Sequence, residues 1–145
     1  MRFLEFESGS PKETHDLAIK FAKKLKPGDL VALRGGFGVG KTAFVRGLCE
    51  GLGIKSDVSS PTYTLMHHYK SSGSAELYHF DMYRVSDEDS LESTGFYDYL
   101  EGDGILAVEW SESIPWAIPS QAITVEISII YDDRRRIKIS EVESL

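Results

Sequence analysis

An α/β fold, built on a mixed and mostly parallel sheet with antiparallel strands at its C-terminal end, is what this sequence predicts. Three observations carry that prediction. Strand and helix patterns alternate through the first half of the chain, the order that lays helices over a parallel sheet. Two short runs, Leu30 to Leu33 and Ile105 to Val108, are apolar at every position, as strands buried on both faces must be. The last part of the chain carries strand patterns alone, around a turn at Asp132-Asp133.

Taken in order, Arg2 to Phe6 alternates polar and apolar residues, a short strand. Ser10, Pro11 and Glu13 supply an N-cap hydroxyl, a pre-set first helical residue and an acid three residues past the cap. Leu17, Ala18, Phe21, Ala22 and Leu25 then recur at helical spacing until Pro27-Gly28 stops the run. Leu30 to Leu33 enters a glycine cluster. Lys41 to Leu52 is helical, with Phe44, Val45, Leu48 and Leu52 apolar and Gly53 placed as its C-cap. Thr64 to Tyr69 and Leu77 to Phe80 read as a hairpin through Ser71 to Ser74. Asp87 to Thr94 is a short acidic helix with a solvated face, and Ile105 to Val108 a buried strand. Ala122 to Tyr131 and Arg135 to Ile139 form a second hairpin. With no repeat and no linker, residues 1–145 read as one domain.

Composition narrows the function. At 41% hydrophobic and 27% charged residues, disordered, collagen-like and coiled-coil classes are excluded. No apolar run approaches ~18 residues, so no membrane-spanning helix is expected. Acids at Glu5 and Glu7 interrupt what a signal peptide needs, and the lone Cys49 allows no internal disulfide. The expectation is a cytoplasmic protein with no membrane partner. A net charge of −7 argues against broad, non-specific nucleic-acid binding, which needs a basic face.

The chemistry sits in Gly35-Gly36-Phe37-Gly38-Val39-Gly40-Lys41-Thr42, which satisfies G-x-x-x-x-G-K-[ST] and lies between a buried strand and a helix. Successive backbone N–H groups in such a loop point inward at a polyphosphate, and the positive helix end faces the anion. Lys41 supplies a cation for the β- and γ-phosphates, and the Thr42 hydroxyl can ligate Mg2+. The fold class sharpens to a three-layer phosphate-loop (P-loop) type.

Such a loop needs a carboxylate on a neighbouring strand to hold the metal. Asp81 ends the strand run Leu77 to Phe80 and Glu109 ends Ile105 to Val108, so both are candidates. Arg84 could pair with phosphate or with an acid. His79 reads as structural, and His15, His67 and His68 have no metal-ligand spacing. The hydroxyl-rich stretch Ser59 to Thr64 occupies the place of a loop that orders on the γ-phosphate in small GTPases. No guanine-reading Asn/Thr-Lys-x-Asp segment follows, which disfavours GTP.

Four stretches carry a resemblance: Leu33 to Thr42, Ser60-Pro61-Thr62-Tyr63-Thr64-Leu65, His79-Phe80-Asp81-Met82-Tyr83-Arg84 and Val108-Glu109-Trp110-Ser111-Glu112. In order and spacing they resemble the TsaE family (formerly YjeE), bacterial ATPases of the tRNA threonylcarbamoyladenosine pathway. Phe37 stands where that family usually has Leu, and Val39 where it usually has Ala; the glycines, lysine and threonine are kept. The resemblance implies a weak ATPase stimulated by TsaD and TsaB, which modify the adenosine beside the anticodon, so tRNA is met only through the complex. It implies ATP binding by Gly36, Phe37, Gly38, Val39, Gly40, Lys41, Thr42 and Ala43, with Ser60 and Thr62 as a switch-like loop and Arg135 approaching the nucleotide. Thr42 and Glu109 would hold Mg2+, with Asp81 the Walker-B-type acid in the same metal site. Lys41, Asp81 and Glu109 would act in catalysis, and Trp110 would lie in a nucleotide- and partner-sensitive region.

Two rival readings stand beside it. A small kinase acting on a metabolite needs a substrate pocket and an arginine-rich lid, whereas the densest arginines here, Arg134 to Arg136, fall in a terminal hairpin. A nucleotide-gated binding module would bind ATP and never turn it over.

Overall fold

The structure is a computed structural model that describes residues 3–55, 58, 65–73, 75–142 and 144–145. In chain order it contains β1 (Phe3–Ser8), α1 (Pro11–Ala22), β2 (Leu30–Arg34), α2 (Lys41–Gly51), β3 (Met66–Lys70), β4 (Glu76–Asp81), α3 (Glu88–Ser93), α4 (Phe96–Leu100) and β5 (Ile105–Glu109). Two 3-10 turns, Ser111–Ser113 and Pro115–Ala117, lead to β6 (Ile123–Tyr131) and β7 (Arg134–Ser140). Seven strands form one sheet in the order β1-β7-β6-β2-β5-β4-β3. The four middle strands, β6, β2, β5 and β4, are mutually parallel, while β1, β7 and β3 add antiparallel at the two edges. The mixed sheet expected from the sequence is therefore present, with its parallel part in the middle.

The all-apolar strands do what their composition demands. On β2, Val31 and Leu33 join a core beneath α1 and α2, while Leu30 and Ala32 join a second core with Leu91 of α3 and Phe96 of α4. On β5, Ile105 and Ala107 face the first core, and Leu106 and Val108 the second. The strict alternation across a pleated strand divides each run between two layers. Further along the sheet, Val125, Ile127, Ile137 and Ile139 all face the first core, whereas Glu126, Arg136 and Lys138 are exposed. The third layer thus covers the sheet at β2, β5 and β4, and β6, β7 and β1 keep one largely polar face.

Helix α1 opens as its cap residues require: the Ser10 side chain accepts from the Glu13 N–H, and Glu13 reaches back to the Gly9 N–H. It ends at Ala22, earlier than Pro27, because Lys23 to Leu25 continue as turns. Helix α4 has no counterpart in the sequence reading. At five residues, with only Phe96 buried, it is too short to register a helical period. Strand β3 begins at Met66, and Thr64 of the expected run lies outside the described residues. No described helix is long and apolar enough to cross a membrane.

Helices α1 and α2 approach each other through small residues. A Cβ added at Gly47 would stand 2.6 Å from Ala18 Cβ and 2.8 Å from the His15 carbonyl oxygen, and one at Gly51 would stand 2.6 Å from Ala22 Cβ and 2.7 Å from the Ile19 oxygen. Both sets of contacts include main chain, which cannot swing aside. Gly51→Ala is therefore expected to lose about 1–3 kcal/mol to overpacking, more than the roughly 1 kcal/mol of helix propensity it gains. Urea unfolding of the variant would read this as a lower midpoint, and a raised midpoint would refute the close approach.

Candidate functional site

The end of β2 turns through Gly35 to Gly40 into α2, and the geometry of that turn explains its glycines. Gly35 has φ +144°, and a Cβ there would meet the Ile127 carbonyl oxygen at 2.6 Å. Gly40 has φ +112° and occupies the N-cap of α2 without a side-chain capping bond, so no side chain competes for the helix's first N–H groups. A glycine loop that runs into a helix N-terminus is the arrangement that can receive an anion.

Lys41 opens α2 and is only 5% exposed. Its Nζ donates to the Gly35 carbonyl oxygen at 2.8 Å and lies 4.1 Å from the centroid of the Trp110 ring. Burial pulls its pKa below the ordinary lysine value, opposed by Glu109, Glu112 and Asp81. Asp81 and Glu109 end adjacent parallel strands and are register partners, so two buried carboxylates stand side by side. Pleat alternation puts both on the face that carries α2. Asp81 Oδ1 accepts from the Tyr83 N–H at 2.9 Å. Glu109 Oε2 pairs with His79 Nε2 at 2.5 Å. Burying three charged groups together costs free energy, and such clusters in a cleft are candidates for a functional site.

One open cavity of about 420 Å3 gathers Phe37, Gly38, Gly40, Lys41, Thr42, Ala43, Asp81, Glu109 and Trp110. Most of the residues singled out from the sequence therefore meet at one place. Gly36 and Val39 instead line the adjoining cavity with Gly35, Trp110 and Ile127. Arg135 is half-buried and holds the loop from beneath: its Nε donates to the Val39 carbonyl oxygen at 2.9 Å and its Nη1 to the Asp132 oxygen at 2.6 Å. It does not line the 420 Å3 cavity. Arg84 is exposed and does not line it either. Ser60 and Thr62 lie outside the described residues.

Two features escaped sequence reasoning. His79, read there as structural, bonds directly to Glu109; its position two residues before Asp81 on one strand was the signal, since that spacing puts both on one face. Phe37, Tyr83 and Trp110 form a triangle with every centroid separation 4.9 Å, and Trp110 adopts the left-handed φ of +58°. Phe37 and Tyr83 are 69% and 50% exposed, so this aromatic group stands open at the cavity's rim.

The donor set fits a magnesium ion that is shared with a ligand. Among the described residues no three His, Cys, Asp or Glu side chains gather to hold a metal. Thr42, Asp81 and Glu109 offer one hydroxyl and two carboxylates, and Mg2+ takes such partial sets together with waters and substrate phosphates.

A parallel-centred sheet with a glycine loop running from its middle strand into a helix, over two strand-end acids, defines a P-loop α/β protein. Comparison with known proteins carries this further. Residues 8–137 match the family described as threonylcarbamoyl adenosine biosynthesis protein TsaE. The tRNA threonylcarbamoyladenosine biosynthesis protein TsaE of Bacillus subtilis is 39% identical over 142 residues, covering 98% of this chain and 88% of its own. Its counterpart in Haemophilus influenzae is 43% identical over 110 residues, 76% of this chain and 68% of its own. The crystal structure of Bacillus subtilis YdiB superposes with a TM-score of 0.81 at 34% identity, covering 95% of this chain and 84% of that one. The chain belongs to the TsaE family.

Proposed function

We propose that this chain binds ATP with Mg2+ in the 420 Å3 cavity and hydrolyses it slowly, as a cytoplasmic subunit required for threonylcarbamoyladenosine modification of tRNA together with TsaD and TsaB. The observation that carries the reading is the buried group of Lys41, Asp81 and Glu109 at the mouth of the glycine loop. The tRNA pathway rests on the names of the relatives.

In this reading the loop N–H groups and the N-terminus of α2 bind the phosphates. Lys41 leaves the Gly35 oxygen for the β/γ-phosphates, and its low hydration makes that exchange favourable. Mg2+, held by Thr42, Asp81 and Glu109, would neutralise phosphate charge when bound. Glu109 and Asp81 are already fixed by their hydrogen bonds, so they need little reorganisation. Arg135 acts on the nucleotide through the loop it supports. A metabolite kinase is less well supported, because among the described residues no arginine lines the cavity.

Thr42→Ala and Asp81→Ala separate phosphate binding from metal binding. Each is expected to lower Mg2+-dependent phosphate release by about 100-fold or more, and metal-free ATP affinity by less than about 3-fold, since loop N–H groups still hold the phosphates. Calorimetry with and without Mg2+ checks this. Equal losses under both conditions would contradict a metal role, and a wild-type chain that does not bind ATP would remove the whole reading.

A further inference from the structure

We infer that His79 is a positioning residue that fixes the Glu109 carboxylate at the mouth of the phosphate loop; this rests on the Mg2+·ATP reading of that site. His79 is fully buried on β4, with its ring 6.4 Å from the rings of both His67 and Tyr69 on β3. Its register partner across the sheet is Ala107, and Glu109 stands two residues further along β5 on the same face. The small side chain of Ala107 leaves room for the imidazole to reach diagonally to Glu109, and Nε2 meets Oε2 at 2.5 Å.

A carboxylate only accepts, so Nε2 carries the hydrogen. Nδ1 is buried with no hydrogen-bond partner among the described residues. A proton there would be orphaned, whereas a bare lone pair is the cheaper state, so the ring is held in the Nε2–H tautomer. Asp81 has the Tyr83 amide to hold it. Glu109, with one more rotatable bond, has His79. The imidazole does not line the cavity; it acts through the carboxylate it orients, as groups behind metal ligands do.

The test compares His79→Leu and His79→Gln with the wild-type chain, by calorimetric ATP affinity with and without Mg2+ and by nitrogen NMR of the wild-type ring. His79→Leu is expected to keep metal-free ATP affinity within about 2-fold while losing the gain from Mg2+ by roughly 10–100-fold. His79→Gln, which retains an N–H donor, is expected to recover that gain to within about 5-fold of wild type. The ring should show hydrogen on Nε2. A folded His79→Leu with wild-type Mg2+ dependence overturns the inference, as does an equal loss without metal, or a glutamine variant no better than leucine. Should the leucine variant fail to fold, the glutamine variant and the ring tautomer decide, and hydrogen on Nδ1 overturns it. A wild-type chain that binds ATP with no gain from Mg2+ refutes the reading of the site instead, and leaves the tautomer to judge His79.

Discussion

Lys41→Ala is expected to lower ATP affinity by at least about 100-fold, because it removes the one cation that lines the cavity among the described residues and leaves two carboxylates facing the phosphates. The loss should exceed that of a surface lysine because Lys41 is already stripped of most of its water. Stability behaves differently. A lysine whose folded pKa is depressed destabilises the fold fully at any pH below that value, and the cost fades as pH rises through it toward the ordinary 10.5. At pH 7 the variant sheds this cost, so its ligand-free form is expected to be about as stable as the wild type, despite losing the bond to Gly35. Calorimetry and thermal unfolding on the same sample check both halves. Unchanged ATP affinity in a folded variant would refute the phosphate-loop assignment.

The isolated chain is expected to turn over ATP at less than about 0.01 per second, and a TsaD–TsaB mixture to raise that rate by roughly 10^3–10^5-fold. The reason is a missing charge. No arginine lines the cavity among the described residues: Arg84 is not part of its lining, and Arg135 is bonded to backbone oxygens of the loop and the β6–β7 turn. In the proposed reading, transition-state charge on the γ-phosphate would be met within this chain by Lys41, the loop N–H groups and a bound metal, and an arginine supplied in trans is the known remedy. The open rim formed by Phe37, Tyr83 and Trp110 leaves a way in. Phosphate release measured alone and with both proteins checks this. Turnover near 1 per second by the chain alone would sink it, as would an unchanged rate in a mixture that demonstrably binds the chain.

Much of this was legible in the sequence because it is local. A run such as Leu30 to Leu33 can be satisfied only between two layers, and the glycine-lysine-threonine spacing dictates a loop from strand to helix. What the sequence withheld depends on which strands become neighbours. That Asp81 and Glu109 are each at a strand end is visible in one dimension; that β4 lies beside β5, making them a pair, is not. The same holds for His79, whose partner is thirty residues away. The three adjacent arginines show the converse, since pleating alone separates them. Arg134 and Arg136 point outward to Glu7 and Glu5, and Arg135 points inward to Val39. The aromatic triangle draws on three separate segments and has no periodic signature at all.

The glycine seam between α1 and α2 divides the molecule mechanically. Gly47 and Gly51 let the second helix lie close against the backbone of the first, so the helix that carries Lys41 and Thr42 is seated tightly on α1. Its strand, β2, is wedged between two cores. The phosphate cradle is therefore an anvil. If the cavity takes a nucleotide as proposed, any accompanying rearrangement would fall to the opposite jaw, the segments after Asp81 and Glu109 that carry Tyr83 and Trp110. Substitutions along the glycine seam should loosen the anvil, whereas substitutions at Tyr83 or Trp110 should alter only the stroke that closes on it.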